Sequence, residues 1–525
     1  MPVEWPWSVA VVAVVALLVW LVDRRRPDLV RDVVEAARRR WVWGLPLGSI
    51  VVILMNIVAY LTLQRGLWHY GDPLALPYYS WSFRYPLGVL TSPLTHAGPG
   101  HLGGNLASAA VVLPAVEYVI GHRDARVPLR RAVLVFPATL YAVGVVVSIL
   151  SWGPVIGFSG VLFVAVGFLL VVSPAAAVVA LLGGRMVGVI ASAIASPVVL
   201  ESASTEFVRP WWANVAVESH ALGLMLGVAA GVLFVRRRRR AVDGIHTGVA
   251  FLVVAVMQSL WAVWMTTDGG FVLYRAGGVA LVAGGAVLLG ALVEIESTAE
   301  PLVTQERIEL TRAVVLVGFV APILAFAGVA VAVNATGVVD TGPTADVQVR
   351  DYRIGYGEGV PNGWMAAVPF LDWTGADANA SGVIVQSQRR GIWIEQVAAD
   401  ELRQRGTASF HVGGPTWQRR ITAERRGMES VTDNETYAIA VSDGTRTRWI
   451  VDGPPAATAT RVGRWRVRLE QRGPERVVVL DGGDRVRRLW LRDGPTSTRD
   501  VTVTVTDGRI RVTTPNGSAV VGHVT

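Results

Sequence analysis

The strongest constraint on this chain is a series of apolar runs separated by short, arginine-rich connections. A helix needs about 20 predominantly apolar residues to cross the hydrocarbon of a bilayer. There, each backbone polar group must find its partner within the spanning structure, which favours helices. Runs of this kind fall at Trp7–Val22, Leu45–Leu63, His101–Gly121, Ala132–Trp152, Ser159–Leu182, Met186–Leu200, Val215–Val235, Gly248–Met265, Phe271–Val293 and Ala313–Val333. None follows Asn334. The expectation is an all-α polytopic membrane domain followed by a soluble domain.

The arginines orient the expected spans. Arg38-Arg39-Arg40, the four arginines within His122–Arg131, Arg185 in an expected tight turn, and the run Arg236–Arg240 all fall on one side if every run crosses. Short loops rich in basic residues stay on the cytoplasmic side. The loops Gln64–Leu94 and Glu201–Asn214 are then external, and the last run exits outward. Asn-x-Ser/Thr sequons begin at Asn334, Asn379, Asn434 and Asn516, all in the tail expected outside. No basic residue precedes Trp7–Val22, and Arg24-Arg25-Arg26 follows it, so this run reads as a retained helix and not a cleaved signal.

Composition excludes several alternatives. The chain has no cysteine, so disulfides and thiolate metal sites are ruled out. All 48 basic residues are arginine, which with the abundance of Ala, Val and Gly reads as a GC-rich genome. The net charge of +8 is explained by arginines flanking the spans, and no basic motif interleaved with aromatics suggests a nucleic-acid partner. The expected location is the cell membrane of a prokaryote, multi-pass, with the lipid bilayer as surroundings.

From about Asn334 the pattern changes to alternation, as in Val347-Gln348-Val349-Arg350, Trp465–Leu469 and Val501–Val505. Turn sequences such as Asp481-Gly482-Gly483-Asp484 and Asp507-Gly508 separate some of these stretches. Period-two alternation bounded by turns is the mark of antiparallel strands. A β-sandwich or related all-β module is expected, with one more helical segment at Trp393–Arg405. His411 and His523 are isolated in sequence and form no constellation.

Strongly polar side chains inside spans are costly and so are functional candidates. Four stand out: His101, Asn105, Ser159 and His220. Ser159 lies in Gly157-Phe158-Ser159-Gly160, which taken alone reads more readily as a packing feature than as a functional one. It is not the G-x-S-x-G elbow of α/β-hydrolases, because Val161 occupies the fifth place. After His220, Gly223, Gly227 and Gly231 form a stripe at four-residue spacing. Such a stripe allows close backbone approach to a partner helix. Gly160 and Gly167 mark a matching face on the serine's helix, so close packing could bring Ser159 and His220 together. His101 and Asn105, four apart, share a helix face, with His96 just outside it. A zinc site is the alternative for these histidines, but no carboxylate accompanies them and asparagine is a poor ligand. Donors converging on one point suit an oxyanion better.

The motifs H-x4-H-x3-N at one span, G-x-S-G two spans on, and H-x2-G-x3-G in a third resemble those of the rhomboid intramembrane serine proteases. The resemblance covers about residues 41–240. It implies a six-helix bundle at 41–240, with residues 1–40 an added N-terminal helix and arginine-rich segment. About four additional transmembrane helices are expected in all, three of them at 241–335, before an extracytoplasmic β-rich domain at 336–525. It further implies Ser159 as nucleophile, His220 as general base, and an oxyanion hole from the His101 and Asn105 side chains and the Ser159 amide. His96, Gly157, Gly160, Phe163, Gly223 and Gly227 support the site, and Glu117 matches a structural glutamate. Two departures are visible. Leu87 and Gly88 hold the places of a common Trp-Arg pair, with Trp81 and Arg84 nearby out of register, and Phe163 stands where some members have tyrosine.

The resemblance implies a serine endopeptidase working without a metal or organic cofactor on transmembrane protein substrates. No carboxylate completes a triad, because Glu218 lies two residues before His220 and points to another face. A client-binding relative without activity and a histidine-lined transporter are the alternatives. An intact Ser–His pair argues against the first, and the lack of an internal repeat against the second. Whether the β module binds substrate or surface material is not legible in sequence.

Overall fold

The structure is a computed structural model describing residues 5–195, 217–296 and 327–525, apart from 364–378, 454–459 and breaks of one to four residues. A helical unit ends at Gly337 and a second unit begins at Val338. In the first, the helices are α1 (Trp5–Arg25), α2 (Pro27–Arg40), α3 (Leu47–Thr62), α4 (Pro99–Ile120), α5 (Phe136–Leu150) and α6 (Ser159–Val172). They continue as α7 (Pro174–Ala195), α8 (Val217–Arg238), α9 (Gly244–Met257) and α10 (Arg275–Glu296). Among the described residues, five helices are long and apolar enough to cross a membrane by length and composition. Shorter apolar helices accompany them, including α3, α6 and α9. About half of the expected run Ala313–Val333 lies outside the described residues, and the rest includes a helix at 327–335.

Helix α6 is the centre of the unit. Val161, Leu162, Val166, Leu169 and Leu170 are buried against Leu113 of α4, Leu140 of α5 and Leu224 of α8. Its contact with α8 is close because glycine removes the side chains between them. A Cβ added at Gly227 would lie 2.0 Å from Val164 O, and one at Gly167 would lie 2.1 Å from Leu224 O. At the other end of the bundle, buried Glu117 of α4 accepts from Gly48 N, Ser49 N and Ser49 Oγ at 3.0, 2.9 and 2.7 Å. These are unpaired donors of the first turn of α3, where a negative charge also complements the helix dipole.

Three boundaries differ from the expected runs. The break expected at Arg185 falls instead at Ser173-Pro174, because proline cannot continue a helix but starts one well. Arg185 is therefore inside α7, and its guanidinium donates to Met257 O at the end of α9. The ends of two expected spans, around Met265 and Phe271, form a hairpin, β1 (Trp264–Thr267) and β2 (Gly270–Leu273). Asn334, read as a sequon, is buried in the helical unit with its amide nitrogen hydrogen-bonded, so it does not present a free amide to a glycan.

Among the described residues, the second unit is all-β apart from one short helix, Ala399–Arg405. Strands β3 (Asp346–Val349), β4 (Tyr352–Pro361), β5 (Asn379–Ser387) and β6 (Ile392–Ala398) form one antiparallel sheet. The largest sheet contains β7 (Thr407–Gly414), β8 (Trp417–Ser430), β9 (Glu435–Ser442) and β10 (Thr447–Asp452). It also holds β15 (Thr496–Ser497), β16 (Thr502–Thr506), β17 (Arg509–Thr514) and β18 (Gly517–Val524). A third sheet joins β11 (Thr460–Val462), β12 (Trp465–Arg472), β13 (Glu475–Asp481) and β14 (Val486–Trp490). Trp465, Val467, Leu469, Val478 and Leu480 of the third sheet pack on Val503, Ile510 and Val512 of the second. Asp507 and Gly508 both have positive φ, as a tight two-residue hairpin requires. The segment expected to be helical from Trp393 is strand as far as Ala398. Its Trp393 and Val397 are buried in the sheet, and the helix begins only at Ala399.

Candidate active site

Ser159 is the first residue of α6, and His220 lies in the first turn of α8. The glycine-permitted approach of these helices sets Ser159 Oγ 3.0 Å from His220 Nε2. Phe163, one turn after the serine, stacks under the imidazole at 4.2 Å and 10°. Gly223 sits so close to Gly160 that a Cβ there would lie 2.5 Å from Gly160 O. His220 Nδ1 is buried and has no hydrogen-bond partner among the described residues, so no carboxylate is bonded to it there.

His101 and Asn105 lie on one face of α4. The Ala97 amide donates to His101 Nδ1 at 3.4 Å, which leaves Nε2 as the proton-bearing nitrogen. A Cβ built on Gly157 would lie 2.7 Å from His101 Nε2 and 3.4 Å from Asn105 Nδ2. The two donors thus converge on the space beside Gly157, whose φ of +114° favours glycine a second time. Asn105 Nδ2 is buried and has no hydrogen-bond partner among the described residues. The first N–H groups of α6 also lack intrahelical partners and carry the positive end of the helix dipole. A cavity of about 270 Å³ opens beside the pair, lined by Ser92, His101, Ser148, Ser159, Ser219 and His220 among others.

His96 is fully buried, with its ring edge-on to His101 at 5.1 Å and both ring nitrogens unpartnered among the described residues. Burial, with His101 beside it, pushes its pKa down to about 3. Its backbone is gripped by Gln64, which accepts from His96 N at 2.7 Å and donates to His96 O at 2.6 Å. Sequence reading passed over Gln64, although a glutamine directly after an apolar run was a usable signal. Among the described residues, no group of three His, Asp or Glu side chains gathers as metal ligands would.

The loop before α4 is anchored by Trp81, fully buried, whose indole donates to Leu76 O at 2.6 Å. Arg84 is exposed. Gly88 admits no side chain, since a Cβ would lie 2.1 Å from Tyr79 O. Ser80 N donates to Val155 O at 3.0 Å and Gly157 N to Ser92 O at 2.9 Å, so this loop also holds the segment leading to Ser159.

Fold and site together define a polytopic helical membrane protein with a serine–histidine pair at the mouth of a small cavity. Residues 84–237 match the family model described as Rhomboid domain, so the chain carries a Rhomboid domain there. The family is one of intramembrane serine proteases. No curated protein and no solved structure matches the chain.

Proposed function

We propose that this chain is an intramembrane serine endopeptidase, hydrolysing peptide bonds in or near transmembrane helices of membrane-protein substrates. The observation that carries this reading is the 3.0 Å contact between Ser159 Oγ and His220 Nε2, beside two donors converging at Gly157. His220 takes the serine proton as Oγ attacks the scissile carbonyl. An imidazole has an ordinary pKa near 6.5 and can act as a base near neutral pH. The oxyanion forms beside Gly157, where His101 Nε2 and Asn105 Nδ2 converge, with the Ser159 amide as a third donor. His220 then protonates the leaving amine, and water releases the acyl group. Phe163 holds the imidazole plane through these steps. A helical substrate hides its carbonyls in its own hydrogen bonds, so small or helix-breaking residues near the cut should speed cleavage. Helix-stabilising replacements there should slow it.

The arginine-rich short loops favour an extracytoplasmic β unit. The test is cleavage of a single-span substrate in liposomes by the wild type, Ser159→Ala and His220→Ala. Cleavage by the wild type alone is expected. Inert but folded wild type across several substrates, with no labelling of Ser159 by a fluorophosphonate, would sink the reading in favour of client binding.

A further inference from the structure

We propose that Asn334 is a positioning residue for the segment that leads to the nucleophile, which makes the helix at 327–335 part of the working active site. The inference rests on the proteolytic reading above. Asn334 is 1% exposed. Its Nδ2 donates to Ser151 O at 3.0 Å and to Ile149 O at 3.3 Å. Its own carbonyl accepts from Phe83 N at 3.0 Å. Three segments remote in sequence thus meet at one residue: the end of α5, the loop before α4, and the helix at 327–335.

The accepting groups explain why an amide sits there. Ile149 and Ser151 lie at the C-terminal end of α5, where carbonyls lack intrahelical partners. Left buried and unpaired they would be costly. A primary amide offers two N–H donors on one nitrogen and can serve both. A carboxylate of the same shape would set oxygen against oxygen.

The consequence reaches the serine by a short path. From Ser151 the chain runs to Ser159, tied on the way at Val155 by Ser80 and at Gly157 by Ser92. Both ties come from the loop that contains Phe83. Asn334 therefore fastens the start of this segment and the loop that holds the rest of it. The segment's end is Gly157, on which His101 and Asn105 converge. Asn334 lies far beyond the matched Rhomboid domain, which ends at residue 237, so the appended helix supplies a contact that the domain does not. A misplacement of about 1 Å at such a site can cost about 100-fold in rate.

The experiment compares the full-length wild type with Asn334→Ala and Asn334→Asp in detergent. It reads the rate at which a fluorophosphonate labels Ser159, kcat and KM for a single-span substrate, and hydrogen exchange over 150–158. The expected result is a loss of roughly 10- to 100-fold in labelling rate and kcat. KM should stay within about twofold, because the substrate's own contacts are untouched. Exchange should speed up over 150–158 and stay unchanged in α6 and α8. Unchanged labelling and kcat per folded molecule, with only a lower melting temperature, would overturn the proposal, because Asn334 would then be structural alone. If both variants fail to fold, Asn334→Gln keeps the donors on a longer arm and is read the same way. If the wild type neither labels nor cleaves, the proteolytic reading fails by itself. Exchange over 150–158 then still decides whether Asn334 holds the segment, and unchanged exchange overturns it.

Discussion

At the scale of single residues, the site is built from groups whose ordinary partners have been withheld. Asn105 Nδ2 is buried and has no hydrogen-bond partner among the described residues, a state that costs stability unless something arrives to accept. Asn105→Ala is expected to lower kcat by about 10²–10³-fold with the fold intact, as loss of an oxyanion donor does. Steady-state cleavage alongside a melting curve checks this. His96 gives a pH signature. Its pKa is about 6.5 unfolded and about 3 folded, so between these values the unfolded chain binds more protons. Stability rises with pH wherever that holds. The contribution is complete above about pH 6.5 and is lost as pH falls toward 3. Melting temperature from pH 4 to 8 should drop on the acid side for the wild type and drop less for His96→Phe. Equal slopes would show that other groups govern acid lability. The sequence marked His101, Asn105, Ser159 and His220 as polar residues in costly places, with His96 just outside the helix. It did not mark Gln64 or the bonding of Asn334, because each is defined by backbone groups of segments far away in sequence.

At the scale of elements, the helix pair α6 and α8 is the device that brings residues 159 and 220 together. Gly227→Ala places a methyl 2.0 Å from a backbone carbonyl that has nowhere to go. The helices must separate, and overpacking of this kind costs about 1–3 kcal/mol. The expected result is a lower melting temperature together with lost Ser159 reactivity. Gly277 in α10 has nothing within 4 Å of an added Cβ. Gly277→Ala should stabilise by up to about 1 kcal/mol through helix propensity alone. The glycine spacing after His220 was readable in sequence as close packing. The end of α6 was misplaced because continuous apolarity hid the Ser173-Pro174 break, and the isolated Arg185 looked like a loop. In the fold Arg185 answers a terminal carbonyl of α9, a partner that hydropathy cannot show.

At the scale of the whole molecule, two units with separate cores share one chain. Trp465 is 3% exposed in the core of the β unit. Trp465→Ala should cost about 3–5 kcal/mol, and the loss should appear in the β unit's unfolding transition. Ser159 labelling should be unaffected below that transition, and calorimetry with labelling at each temperature separates the two effects. A parallel loss of labelling would show that the units depend on each other for stability.

The sequence by itself determined the helical membrane class, the all-β class of the tail and the candidate polar residues. These follow from local periodicity and from the cost of polar groups in hydrocarbon, both written residue by residue. Only the tertiary structure decided which donors face one point, what holds the segment before Ser159 and which buried carbonyls Asn334 serves. Those facts depend on separations of a few ångströms between segments tens to hundreds of residues apart. No local pattern encodes such separations, because they are fixed by how whole helices pack.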